Sequence, residues 1–339
     1  MNSKDMIAGL RKFATATALM AATAMPALAA DKLVISIETG PTHLQTTLMN
    51  QFVDMLEERS GGELMAEVFD SAQLFNSRDV GKAVARNDVG MSILTTPSLS
   101  RIEPNLNIFD LPMLNGLSIE ERNALVDGPL GDALSEMVGD KMGVVVPGDW
   151  FLLGRVLYWS TNTPLNSLDD FNGLQVRIPG GAANVARLEA LGATAVVMPF
   201  ADTPLALQQG VVDATMGSKE TMLAQKLVDT GISYAYWDQG IVGYRMAIVS
   251  PAYWDSLTED QQAVFSEVWN EIAAMERADV IAGEVTDQAA LEAQGVTFVD
   301  ASDADAAAAK DLLMEIQPAL VERLGIAPEI MALAEAGLE

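Results

Sequence analysis

Short apolar runs alternate with helical segments along most of the chain, and this alternation constrains the fold more than any other feature. Leu33 to Ile37 is an apolar strand, and Leu44, Leu48, Phe52 and Met55 then recur at helical spacing up to a Ser60-Gly61-Gly62 stop. Leu64 to Phe69 is the next strand, Asp79 to Arg86 a short helix and Gly90 to Leu94 another strand. Such a β-α-β-α-β succession predicts a parallel, doubly wound sheet. The pattern restarts with strands at Gly143–Val146, Arg155–Ser160, Leu174–Ile178, Ala193–Met198 and Val211–Thr215, and helices at Ala182–Leu191 and Thr203–Gln209, which together make a second α/β unit. Between Thr258 and Gly295 runs one long helical pattern without internal proline, its Phe265, Val268, Trp269, Ile272 and Met275 on one face, long enough to span two domains. Amphipathic Ala/Asp/Glu-rich helices follow from Asp303 and pack back on the body. No repeat or low-complexity linker interrupts the chain, so domain boundaries are expected at sheet crossovers.

The first residues stand outside this pattern. Lys4, Arg11 and Lys12 precede an apolar run from Phe13 to Leu28, and Pro26-Ala27-Leu28-Ala29-Ala30 supplies a small-x-small cleavage site. These are the parts of a secretory signal peptide, residues 1–29, cut near Ala29 or Ala30, with a retained N-terminal anchor as the alternative. The remainder suits two domains of ordinary size, and no later apolar segment reaches membrane-spanning length without charges. The chain has no cysteine, so there is no disulfide framework for the exported compartment. Loss of the leader would take the formal charge from −27 to −29, which excludes nucleic acid as a partner.

Missing chemistry narrows the function. There is no G-x-G-x-x-G, no G-x-x-x-x-G-K-[ST] and no G-x-S-x-G, so dinucleotide, nucleotide and nucleophile-elbow sites lack their parts. One histidine and no cysteine leave no set for a catalytic zinc. Among 47 acidic residues some carboxylate pair can always meet, which keeps a hydrolase as an alternative. The reading is of a non-enzymatic binding protein without metal or cofactor, whose two lobes close on a ligand between them. Arg177 in "GLQVRIPGG" is the candidate anchor: a cation at the end of an apolar strand, where ligands of open α/β sheets sit.

The segments "DWFLLGR", "LDDFNGLQVRIPG", "LEALGATAVVMPF", "ALQQGVVDA" and "YWDSLTEDQQAVF" resemble, in that order, the substrate-binding subunits of tripartite ATP-independent periplasmic (TRAP) transporters. "MLEERSGGELMAEVFDSAQLF" and "NIFDLPML" are similar as well. The resemblance implies a two-lobed periplasmic binding protein, type II-like, with a long helix crossing both lobes. Lobe I would hold residues 30–153 and 242–282, and lobe II residues 154–241 and 283–339. It implies that Arg177 binds a ligand carboxylate, that Arg155 is the nearest match to a second ligand arginine, and that the protein, a monomer, delivers its ligand to TRAP membrane subunits. An ABC-type binding protein is the alternative within the same compartment.

A guanidinium suits the anchor role because it grips a carboxylate with two parallel hydrogen bonds; the alternative is an ion pair with Asp169 or Asp170. Arg155 either meets the ligand or braces Arg177 through a carboxylate. Gly180 and Gly181 either open a helix toward an anion or form a plain turn. His43, Thr95, Thr96 and Gln73 are either cleft-facing polar groups or locally satisfied ones. Trp150, Phe151, Phe200 and Trp237 either box the ligand or belong to the core. The resemblance places Thr215-Met216-Gly217-Ser218, with Gly217 as its ligand-site candidate, where many members carry a polar segment with a ligand-contacting asparagine, and Met216 where some carry a metal-binding acid. Both departures point to a small, sparsely hydroxylated monocarboxylate, with a sugar acid or dicarboxylate as the alternatives.

Overall fold

The computed structural model describes residues 32–338, so the expected signal peptide lies outside the described residues. Among the described residues eleven strands build two sheets. β1 (Leu33–Ser36), β2 (Ala66–Phe69), β3 (Met91–Thr95), β4 (Phe151–Arg155) and β10 (Val242–Val249) form the first, in the order β2-β1-β3-β10-β4. β5 (Leu157–Ser160), β6 (Gln175–Ile178), β7 (Thr194–Val197), β8 (Ala214–Gly217), β9 (Tyr234–Trp237) and β11 (Thr297–Asp300) form the second, in the order β11-β9-β5-β8-β6-β7. The helices between them cover the faces and give each sheet its own lobe.

The parallel sheet expected of the first unit is corrected to a mixed one, and the second sheet is mixed as well. β10 runs antiparallel to β3 and β4, and β5 antiparallel to β8 and β9. Parallel neighbours in one sheet need a crossover of a dozen or so residues. Only Val156 separates β4 from β5, and only residues 238–241 separate β9 from β10. At both points the chain passes directly from one sheet to the other. The strand expected at Arg155–Ser160 is therefore divided between two lobes. The strand expected at Gly143–Val146 is absent: Gly143 caps a helix in the left-handed region, and Val145 makes only an isolated bridge to Val249. β9, β10 and β11 were not anticipated, although all eight positions of β10 are buried.

The third link between the lobes is the helix Glu259–Ala293, closed at its start by reciprocal bonds between Thr258 and Gln261. Thirty-five residues at 1.5 Å each reach about 50 Å. Its first half buries Phe265, Val268, Trp269 and Ile272 in the first lobe, with Trp269 stacked on Phe151 at 4.7 Å between ring centroids. Its second half reaches the other lobe, where Leu291 joins the core around Trp159 and Glu284 pairs with Lys219 at 3.1 Å. The C-terminal helix Pro328–Ala336 buries Ile330 and Ala334 with Leu130 and Leu134 of the first lobe. That differs from the expected assignment of everything after residue 282 to lobe II.

A buried ion pair fixes the β9–β10 passage. Arg187, on the helix Ala182–Ala190, donates from Nη2 to Asp238 Oδ2 at 2.6 Å, from Nε to the Tyr158 hydroxyl at 3.0 Å and from Nη1 to Asn115 Oδ1 at 3.3 Å. Asp238 also accepts from the Gly240 N–H at 2.9 Å. Both ion-pair partners are almost fully buried, so removing one strands the other in a low-dielectric interior. Asp238→Ala is therefore expected to cost about 3–5 kcal/mol, read from urea denaturation. A loss below about 1 kcal/mol, the range of a surface pair, would contradict this.

Candidate functional site

The carboxyl ends of parallel strands from both lobes converge on one small cavity of about 80 Å³, the position expected for ligands of open α/β sheets. Glu38 and Thr39 follow β1, Thr95 ends β3, Arg177 and Pro179 come from the end of β6, and Met216 and Gly217 from the end of β8. The lobes also touch directly beside the cavity. Thr42 Oγ1 donates to the Ala224 carbonyl at 2.8 Å, the Leu44 N–H to Glu220 Oε1 at 2.7 Å, and the Ala201 N–H to Glu38 Oε1 at 3.2 Å. The lobes are thus closed on the cavity.

Arg177 is 2% exposed. Its Nε and Nη2 both donate to the Met198 carbonyl, at 3.1 and 2.9 Å, and its guanidinium carbon lies 5.4 Å from the Phe200 ring centroid. That arrangement fixes one edge of the guanidinium and leaves Nη1 without a protein hydrogen bond among the described residues. No carboxylate among the described residues comes within ion-pair distance, Asp169 and Asp170 included. Burial pushes the guanidinium down to about 10, offset in part by the more distant Glu38 and Asp202, so it stays charged at neutral pH.

Arg245 faces the same cavity from the opposite lobe. It lies on β10 between Thr95 of β3 and Phe151 of β4, is 7% exposed, and likewise has no ion-pair partner among the described residues. Its Nη2 lies 3.5 Å from His43 Nε2. His43 caps the first helix, Leu44–Arg59, by accepting the Gln45 N–H at Nδ1. The proton is thereby placed on Nε2, 3.0 Å from Glu220 Oε2 and 3.1 Å from the Thr221 hydroxyl. Two donors face each other between His43 and Arg245, and burial together with that guanidinium holds the imidazole well below its ordinary range. Glu276, the acid with the strongest pull on Arg245, is itself buried and bonded to the Leu152 N–H at 2.8 Å. Burial raises its carboxyl to about 8, which weakens its compensation of the cation at neutral pH, and Glu220, bonded to His43 and to the Leu44 N–H, adds a second pull from beyond ion-pair distance.

Of the residues singled out in the sequence, Arg177, Thr95, Phe200 and Gly217 line this cavity. Gly180 lines an adjoining outer cleft; a Cβ there would stand 2.8 Å from the Pro97 carbonyl oxygen, and φ is +149°. Arg155 and Trp237 face a separate depression, with the guanidinium 4.3 Å over the indole. Gly154, at φ +88°, breaks the strand alternation and turns Arg155 away from the face where Leu153 meets the cavity. Trp150 and Phe151 belong to the first-lobe core. Thr96 is buried at a helix start, His43 is buried behind Arg245, and Gln73 is exposed and bonded to Asp70. Sequence reasoning missed Arg245, Gln45 and Thr39, which also line the cavity. The signal for Arg245 was present as a cation inside the apolar run "VGYRMAIV". Among the described residues no cluster of three or more His, Asp or Glu could hold a metal.

Two lobes joined by two strand passages and a long helix, closed over a buried cationic cavity, define a solute-binding protein of the periplasmic type. The chain belongs to the bacterial extracellular solute-binding protein family 7, whose model matches residues 35–335; this is a family of transport binding proteins and not of enzymes. It is 29% identical over 319 residues to the C4-dicarboxylate-binding periplasmic protein DctP of Rhodobacter capsulatus, covering 91% of this chain and 92% of that one. A TRAP periplasmic solute-binding protein of Shewanella oneidensis with bound succinate superposes with a TM-score of 0.83 at 24% identity, over 91% of this chain and 99% of that one. The sugar acid binding protein DctPAm of Advenella mimigardefordensis, in complex with galactonate, gives 0.84 at 17% identity, over 90% and 98%. Among the described residues no helix is long and apolar enough to cross a membrane.

Glu276 makes the site's electrostatics testable. Its carboxyl titrates near 8 when folded against an ordinary 4.5, so its neutral burial stabilises fully below pH 4.5 and that contribution is lost as pH rises toward 8. Glu276→Gln should therefore flatten the decline in urea midpoint between pH 5 and 8, by up to about 1.4 kcal/mol per pH unit. Parallel pH profiles of the two proteins would contradict the assignment.

Proposed function

We propose that this chain is the extracytoplasmic binding subunit of a TRAP transporter and takes up a small organic acid with two acidic ends, one on Arg177 and the other on Arg245. The observation that carries this reading is the pair of buried guanidiniums, one from each lobe, lining one cavity without a carboxylate at ion-pair distance among the described residues. A buried cation needs a counter-charge to offset its desolvation, and a bound dianion supplies both at once. Ile93, Leu153, Phe200 and Met216 would pack a short hydrocarbon spacer, and Gln45, Thr39 and Thr95 would orient the acid groups. The monocarboxylate expected from sequence left Arg245 out of account.

Support also comes from the relatives, since the Rhodobacter protein is named for C4-dicarboxylates and the Shewanella structure holds succinate. The leader would send the chain to the periplasm, where it would act as a monomer and hand its ligand to the membrane subunits. Lobe closure excludes water and strengthens the ion pairs. The charge of −27 does not prevent anion binding, because beyond about 8 Å charges are largely screened at physiological salt and the local arginines decide.

In a thermal-shift screen of mono- and dicarboxylates, the intact chain should respond most to a short diacid. Each charge-assisted bond is worth about 1.5–3 kcal/mol, so Arg177→Lys and Arg245→Gln should each weaken that diacid at least tenfold. A monocarboxylate bound equally well, or full affinity in either variant, would sink the two-ended reading.

A further inference from the structure

Outside the inner cavity, and sharing Ser77, Ser98 and Pro179 with it, lies a larger cleft of about 480 Å³. Both lobes and the penultimate helix, Asp303–Leu324, contribute to it. Three of its lining residues are the exposed arginines Arg78, Arg101 and Arg323, and none is acidic. In a chain with 47 Asp and Glu against 20 Lys and Arg, that is a local reversal of charge. None of the three guanidiniums has a carboxylate within 4.0 Å among the described residues; Arg101 Nη2 donates instead to the Arg78 carbonyl at 3.2 Å. The walls between them are apolar, including Val185, Leu324 and Val197, the last 52% exposed.

We infer that this cleft is a second, outer organic-anion site: Arg78, Arg101 and Arg323 collect a carboxylate at the mouth of the inner cavity, from which it passes to Arg177 and Arg245. The last step rests on the inner cavity binding an acid; the outer site itself does not. At long range the chain's net charge repels an anion, while within a screening length of the cleft the three guanidiniums attract it. The outer site would thus set the rate of capture, and the inner pair its strength.

The direct test uses 4′-fluorobiphenyl-4-carboxylate, whose two rings exceed the inner cavity of about 80 Å³. Its 19F line in low salt should broaden with the intact chain and lose most of that broadening with Arg78→Gln/Arg101→Gln/Arg323→Gln, substitutions confined to exposed positions. Equal broadening with both proteins, or none with the intact chain, overturns the outer site whatever the inner cavity binds. Stopped-flow association of succinate adds a sign: added salt should slow capture by the intact chain. In the triple variant capture should be about tenfold slower at low salt and should quicken as salt screens the remaining net charge. Unchanged rate and salt slope in the variant overturn the steering role. A failure of the inner-site reading is recognised separately, as no thermal shift of the intact chain with any acid.

Discussion

Burying a guanidinium without a matching carboxylate is costly, and this fold does so twice around one cavity. Arg177 arrives from the second sheet and Arg245 from the first, and neither has an acid within ion-pair distance among the described residues. The surroundings are arranged to keep the charges in place without neutralising them. The Met198 carbonyl holds one edge of Arg177, while the carboxyl of Glu276, close enough to act on Arg245, is raised by burial to about 8. His43, spent on capping a helix and bonding Glu220 and Thr221, presents a donor and no acceptor to Arg245. A protein that tolerates such a pair in its interior gains most when an anion enters between them.

The rest of the architecture positions those two side chains. Two strand passages, at Val156 and at residues 238–241, let the lobes share a chain without a flexible linker, and the buried Arg187–Asp238 pair fixes the second passage. The helix Glu259–Ala293 is packed into both lobes. The bonds from Thr42, Leu44 and Ala201 close the rim between the lobes.

Much of this was legible in the sequence, and the misses share a cause. Arg177 could be read because its strand is short, apolar and ended by Pro179, so the cation stood out locally. The same signature at Arg245 went unread because β10 itself went unread: its partners, β3 and β4, lie about 150 and 90 residues away in sequence. Mixed sheet polarity and the docking of Pro328–Ala336 on the first lobe are likewise products of long-range packing. Phe151 and Arg155, four apart on one strand, would share a face by simple alternation, but the positive φ of Gly154 and the irregular β4–β10 register break it, so sequence proximity to Arg155 did not bring Trp150 or Phe151 to its side. Helix starts, by contrast, are written locally, and Thr258 with Gln261 shows it.

The central claim is that one ligand answers both buried arginines. A crystal structure of the chain with the diacid that gives the largest thermal shift tests it most directly. One acid group should be hydrogen-bonded to Arg177, through the Nη1 that has no protein partner among the described residues, and the other bonded to Arg245, with the lobes closed. A ligand seated in the cavity that leaves either guanidinium without an acid group would contradict it.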